Sequence, residues 1–225
     1  MIEVLLWDND GVLVDSERAF FETTRAAFES AGLELTVEYW ARHYLGAGRR
    51  SIEIAQMLGA SPHAAHRLIE ERNRAFGERL EFPIPVLPGI PETLARLSSR
   101  RRMAVVTGSP RRQFDLIHKH TGLLPFFECV VTADDCEREK PNPEAYLTVL
   151  RRLGVDGRAC LAVEDSPRGL ASATGAGVPC VVLRTAFTDV KACGSACAIL
   201  EDVCELDGVI QERERAANDG VKPER

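Results

Sequence analysis

Lysine is scarce in this chain: four Lys stand against 24 Arg in 225 residues. Between Glu17 and Leu80 there is no Lys and no Asp, and nine Arg balance nine Glu, so that stretch is neutral. No apolar run approaches the roughly 18 to 20 residues that span a bilayer. Met1 leads straight into a candidate strand, which leaves no room for a signal peptide. A cytoplasmic protein with no membrane partner is expected. The seven cysteines lack paired CxxC spacing and partner histidines. That argues against a zinc site, even at Cys193, Cys197 and Cys204, and an odd number without an export signal argues against a disulfide framework. An excess of basic charge is also missing. The net charge of −6 speaks against nucleic acid, and no feature specifies an oligomer, so a monomer is expected.

What is present is concentrated near the N-terminus. Val4-Leu5-Leu6-Trp7 reads as a buried strand that ends in two acids, Asp8 and Asp10, followed by Gly11. In a parallel α/β sheet the carboxyl end of a strand is where chemistry is presented. Two carboxylates one residue apart repel each other, so a cation or a shared proton is needed to hold them. A site of that sign can bind an anion only if a metal reverses the local charge.

From Ser16 the pattern turns helical for some seventy residues, with Ser16, Thr36 and Ser61-Pro62 as helix starts and Gly32, Gly46 and Gly59 as stops. A stiff Pro-rich connector follows, Phe82 to Gly89. Beyond it strands and helices alternate, with strands expected at 103–107, 129–132, 160–163, 179–183 and 196–200 and helices near 91–101, 110–120, 143–153 and 167–175. This predicts an α/β fold: a doubly wound parallel sheet built from residues 1–15 and 86–210, interrupted by an all-helical insertion over 16–85. The charged end, 211–225, is expected to fray.

Three later segments repeat one layout. Thr107-Gly108 precedes Ser109-Pro110, Lys140-Pro141 precedes Asn142-Pro143, and Glu164-Asp165 precedes Ser166-Pro167. In each, a capping side chain and a proline set a helix start beside a polar group, and free N–H groups at helix starts suit a phosphate. Ser109 and Ser166 are read as caps.

These segments, in order after Asp8-Asn9-Asp10-Gly11-Val12, resemble the four motifs of the haloacid dehalogenase (HAD) superfamily, in the branch with a helical cap after the first strand. The resemblance spans about residues 1 to 205. It implies a Rossmann-like core and a Mg²⁺-dependent phosphohydrolase acting on a small phosphorylated metabolite such as a sugar phosphate. Asp8 would be the nucleophile that forms an aspartyl-phosphate, and Asp10 the general acid and base. Asp8, the Asp10 carbonyl and Asp165 would hold the metal, with Glu164 either a further ligand or, preferentially, an acceptor one step removed. Thr107, Lys140 and the N–H groups near Gly108 and Asn9 would bind the phosphoryl oxygens. A compact point charge at Lys140, in a chain that otherwise prefers Arg, fits that task.

The same resemblance separates the family's branches. Dehalogenating relatives lack the second acid and ion-pumping ATPases carry Thr there, whereas phosphonate-cleaving relatives need a cap lysine that this chain does not have. Phosphatase is expected over a β-phosphoglucomutase-like phosphomutase. The mutases have a histidine where Phe20 stands and use a cap lysine. Arg49, in the loop Gly46-Ala47-Gly48-Arg49-Arg50, matches the residue with which the mutases grip a second phosphate, and is taken as a substrate contact. A catalytically silent binding protein on the same fold is the reading from another class.

Overall fold

The computed structural model describes residues 1–219. Six strands form one all-parallel sheet: β1 (Val4–Trp7), β2 (Arg102–Val106), β3 (Cys129–Val131), β4 (Cys160–Glu164), β5 (Cys180–Leu183) and β6 (Ala198–Leu200), in the order β3-β2-β1-β4-β5-β6. β1 lies in the middle, with Leu5 level with Met103 on one side and Leu161 on the other. All its residues are buried, which explains the unbroken apolar run: a central parallel strand is covered on both faces.

The pleat sorts its side chains. Leu5 and Trp7 join a core with Ile90, Leu94, Phe114 and Ile210, while Val4 and Leu6 join a second one with Tyr146, Val149 and Leu170. Helices α5 (Ile90–Ser98), α6 (Arg111–His118) and α9 (Leu206–Asp219) contribute to the first core, and α7 (Glu144–Leu153) and α8 (Pro167–Gly175) to the second. Strand order reverses between β1 and β4, so their carboxyl ends flank the crevice where such sheets bind ligands.

Residues 16–80 form a helical insert: α1 (Ser16–Glu29), α2 (Val37–Trp40), a π-helical turn over Ala41–Gly46, α3 (Ser51–Met57) and α4 (Pro62–Arg79). It has its own apolar cluster, including Phe28, Trp40, Ile54 and Leu68, into which Phe187 of the sheet unit also packs. The entering and leaving segments pair: the Asp15 N–H donates to the Pro85 carbonyl at 2.9 Å and the Leu87 N–H to the Leu13 carbonyl at 3.0 Å.

Three local expectations are corrected. Ser16 is the first helical residue of α1 rather than its cap, and Ser109 stands two residues before α6, where its hydroxyl turns elsewhere. Residues 211–219, expected to fray, continue α9. Leu206 and Ile210, one turn apart, bury that helix, and Glu214 accepts from the Ile2 N–H at 3.0 Å and pairs with Arg101 at 3.0 Å. Residues 220–225 of the expected frayed tail lie outside the described residues. No helix among the described residues is long and apolar enough to cross a membrane.

Candidate active site

The chain turns sharply after β1. Gly11 has φ +80°, and a methyl group there would collide with the Asp165 carboxylate. The Asn9 carbonyl accepts from the N–H groups of Val12, Leu13 and Val14, which ties the acid segment into a compact knot. The Asp8 N–H still donates to the Val163 carbonyl at 2.9 Å, so the nearer acid is fixed by the sheet ladder itself.

Four carboxylates from two adjacent strand ends meet here. Asp8, Glu164 and Asp165 are buried with oxygens close enough to share one ion. Lys140 lies among them, its ammonium 3.0 Å from Asp8 Oδ1 and donating to Glu164 Oε1 at 2.6 Å and to the Val106 carbonyl at 2.9 Å. Tyr146 adds a second donor to Glu164 Oε1 at 2.6 Å. The other oxygen of Glu164 lies over Gly169, where any side chain would collide with it.

Asp10 is held differently. The Ser16 hydroxyl donates to its Oδ1 at 2.5 Å, and those of Thr107 and Ser109 to its Oδ2 at 3.0 and 2.8 Å. Thr107 also accepts from the Ser109 N–H at 3.0 Å. The hydroxyls of Ser16 and Ser109, read from the sequence as helix caps, therefore converge on the second acid. Ser166 does cap α8, accepting from the Gly169 N–H at 3.2 Å.

One lysine does not neutralise this set. Burial, and after it the charge of Glu164, pushes the Asp8 carboxyl well above the ordinary carboxylate range, with Lys140 opposing. Burial and then Asp8 do the same to Asp165. Lys140 moves up because the attraction of Asp8 and Glu164 outweighs its burial. Asp165 Oδ2 and Glu164 Oε2 are buried with no hydrogen-bond partner. Orphaned acceptors of this kind, in an all-oxygen donor set, fit a hard divalent cation such as Mg²⁺.

A cavity of about 280 Å³ opens above the acids. Asp8, Asp10, Gly108, Lys140 and Asp165 line its floor, and Glu17, Phe20, Tyr44 and Arg72 of the insert line its roof. Glu17 accepts from the Trp40 indole N–H at 2.6 Å, and burial pushes its carboxyl up to about 7. Arg168, in the first turn of α8, completes the wall beneath Tyr44. Behind the acid segment, His118 Nε2 donates to Asn9 Oδ1 at 2.7 Å. Burial pushes that imidazole down to about 4, so it is a neutral strut.

Of the sequence-predicted residues, Thr107, expected on the phosphoryl oxygens, turns its hydroxyl to Asp10 and like Glu164 lies behind the cavity lining, and Arg49 stands apart from the cluster. Its side chain is 54% exposed, 3.7 Å from Glu53 on the same helix start, and outside the cavity lining. The roof instead carries Arg72, which sequence reading missed. Its signal was visible: along α4 the buried positions run Ala65, Leu68, Arg72, Phe76, so an arginine occupies an apolar stripe. Arg168 carried a weaker one, directly after Ser166-Pro167.

A parallel sheet whose switch point gathers buried carboxylates around a single lysine defines a class of enzymes that handle anions beside a cation. Residues 2–177 match the haloacid dehalogenase-like hydrolase family, and the chain belongs to that family, within its phosphatases. It is 32% identical over 183 residues to a phosphorylated carbohydrates phosphatase of Thermotoga maritima, spanning 79% of this chain and 82% of that protein. It is 30% identical over 208 residues to the validoxylamine A 7′-phosphate phosphatase of Streptomyces hygroscopicus, with 92% and 96% covered. Among solved structures, CbbY of Rhodobacter sphaeroides in complex with xylulose-1,5-bisphosphate superposes with a TM-score of 0.73 at 25% identity, covering 92% and 96%.

Proposed function

We propose that the chain is a Mg²⁺-dependent phosphatase for a small phosphorylated sugar or polyol, working through an aspartyl-phosphate on Asp8. The observation that carries this reading is the pair of acids held in unequal ways. Asp8 is fixed by the ladder and by Lys140, whereas Asp10 is cradled by hydroxyls alone. A nucleophile needs a fixed oxygen and a nearby cation; a proton carrier needs neighbours that tolerate both of its protonation states.

In the first step an Asp8 carboxylate oxygen attacks phosphorus as the bond to the substrate oxygen breaks, and Asp10 delivers its proton to that leaving oxygen. In the second, Asp10 takes a proton from water, the water oxygen attacks phosphorus, and the bond to Asp8 breaks to release phosphate. Lys140 neutralises phosphoryl charge while keeping Asp8 in place, together with the N–H groups near Gly108 and Asn9. Thr107 stands one step further back and orients Asp10. Asp8, Asp165 and the Asp10 carbonyl would hold Mg²⁺, which when bound supplies charge to the phosphoryl oxygens. Glu164 holds Lys140. The insert acts as a cap, with its paired connectors as the hinge, and its aromatic roof keeps water from the first step. The relatives named for phosphorylated carbohydrates support the sugar phosphate class.

The test is release of phosphate from p-nitrophenyl phosphate and from a panel of sugar phosphates, with Mg²⁺ and with chelator. Asp8→Asn is expected to lower turnover at least about 10³-fold. A native protein no more active than that variant on every phosphoester would overturn the reading.

A further inference from the structure

The three acids close enough to share an ion are not held alike. Asp8 is tied to the sheet ladder and to Lys140, and Glu164 to Lys140 and Tyr146. Asp165 stands one residue beyond the end of β4, and its Oδ2 has no hydrogen-bond partner. Its main chain is held from outside the motif by Thr188, whose hydroxyl donates to the Asp165 carbonyl at 2.8 Å. That hydroxyl is itself fixed. It accepts from the Thr185 N–H at 2.9 Å, and the Thr185 hydroxyl accepts from the Phe187 N–H at 3.1 Å. Residues 185–188, in the segment that follows β5, are therefore a turn knotted by two hydroxyls rather than a slack loop.

The same turn reaches into the cap. Phe187 is only 4% exposed and lies in the cap's apolar cluster, in which every other buried residue comes from the insert. Its ring centroid is 5.1 Å from that of Phe21, and the Arg18 guanidinium stands 5.9 Å from it. Phe21 and Arg18 both belong to α1, the helix that leads out of the hinge. Opening the cap about its connectors draws α1 away from the sheet unit and strips Phe187 of that pocket, at the cost of exposing a large aromatic ring. Phe187 and Thr188 are neighbours in the chain, so a single peptide bond joins the cap's core to the residue that holds Asp165.

Resting on the phosphatase reading for its metal, we infer that Thr188 is a positioning residue for Asp165 and that Phe187 ties it to the cap, so that cap closure and Mg²⁺ binding favour each other. With the cap closed, Phe187 pins the turn, Thr188 holds the Asp165 carbonyl, and the carboxylate stays beside Asp8 and Glu164. With the cap open, the turn is released from the insert and the orphaned carboxylate is held less firmly. Coupling of this kind is reciprocal: whatever closure adds to metal affinity, the metal adds to closure. The metal site is then complete when the roof is over it, which is also when water is kept out.

Mg²⁺ affinity is read on the full chain from the rise of the melting midpoint across a Mg²⁺ titration. Each variant's own metal-free midpoint is its baseline, so lost packing moves the baseline and not the Mg²⁺ concentration at which the rise sets in. Thr188→Val, which keeps the shape and loses the hydroxyl, should weaken Mg²⁺ binding about three- to tenfold, and Thr188→Ser should bind as the native chain does. Phe187 lines neither the acid cluster nor the cavity above it, yet Phe187→Ala should weaken Mg²⁺ binding about fivefold. In the Thr188→Val chain the same change should add nothing, because the link is already cut. Unchanged affinity in Thr188→Val or in Phe187→Ala, or a Phe187→Ala loss that persists in full beside Thr188→Val, would overturn the inference. If the Ala variant does not fold by circular dichroism, Phe187→Leu takes its place in the same cycle. Mg²⁺-dependent phosphate release by a chain whose variants bind Mg²⁺ as the native one does would sink this inference and leave the phosphatase reading standing. A native chain that neither binds Mg²⁺ nor releases phosphate would sink both.

Discussion

Floor and roof of the cavity solve opposite problems. The floor crowds carboxylates onto strand ends around one lysine, and its backbone is locked by the ladder and by the Asn9 carbonyl. The roof is neutral overall, is built from helix faces, and buries a lone arginine among hydroxyls and an aromatic ring. The floor carries negative charge that neither Lys140 nor the roof answers. A bound cation relieves the floor, so the cost of building that half is offset by binding rather than by folding.

The comparison can be broken most severely at Lys140. Lys140→Met leaves Glu164 and Asp8 buried without their cation, and removing one partner of a buried pair costs about 3–5 kcal/mol. Chemical denaturation should show a loss of that size together with loss of turnover. A stability within 1 kcal/mol of the native chain, as a rough threshold on that same scale, would mean the floor is less crowded than its geometry states.

Metal comes next. Asp8 and Asp165 have raised folded pKa values, so their contribution is fully present below about pH 4, their ordinary range, and is lost as pH rises. Metal-free protein therefore loses this contribution towards pH 8, and Mg²⁺ at a hundredfold excess over its Kd should restore about 2.7 kcal/mol there and less at pH 5. Thermal melts with Mg²⁺ and with chelator check this. Asp165→Asn should abolish the lift, and identical melts at pH 8 would contradict the assignment.

The smallest expected effect tests the packing that holds the floor. Gly169→Ala drives a methyl group into the Glu164 carboxylate. Overpacking of this kind costs about 1–3 kcal/mol, and it should also lower kcat by displacing Lys140. Gly194→Ala, away from the site, is the control, since nothing lies within contact distance of a Cβ there.

The floor was legible in the sequence because each of its acids sits in a short contiguous motif at a strand end. The ordering of strands and helices followed from runs such as Val4–Trp7 and Ala104–Val106, whose character depends on local burial. The roof was harder to read. Its residues are a helical turn or a whole helix apart, and Phe20, Tyr44 and Arg72 meet only after the insert has folded. Arg49 looked right because it stood in a loop with the expected pattern, but an exposed pair with Glu53 satisfies it. Ser16 and Ser109 were misread for a related reason: a serine before a helix has a local use as a cap, and only three-dimensional convergence shows that both serve Asp10.

The joined connectors have a consequence for ancestry and engineering. Because residues 13–15 and 85–87 hydrogen-bond to each other, the chain leaves and re-enters the sheet unit at a single gate. To the sheet, residues 16–84 are one excursion between neighbouring points, whose length adds little to the entropy of closing it. The roof can then be shortened, lengthened or exchanged while the strand-end chemistry stays in register, so new substrates are reachable by replacing a module rather than rebuilding a catalyst.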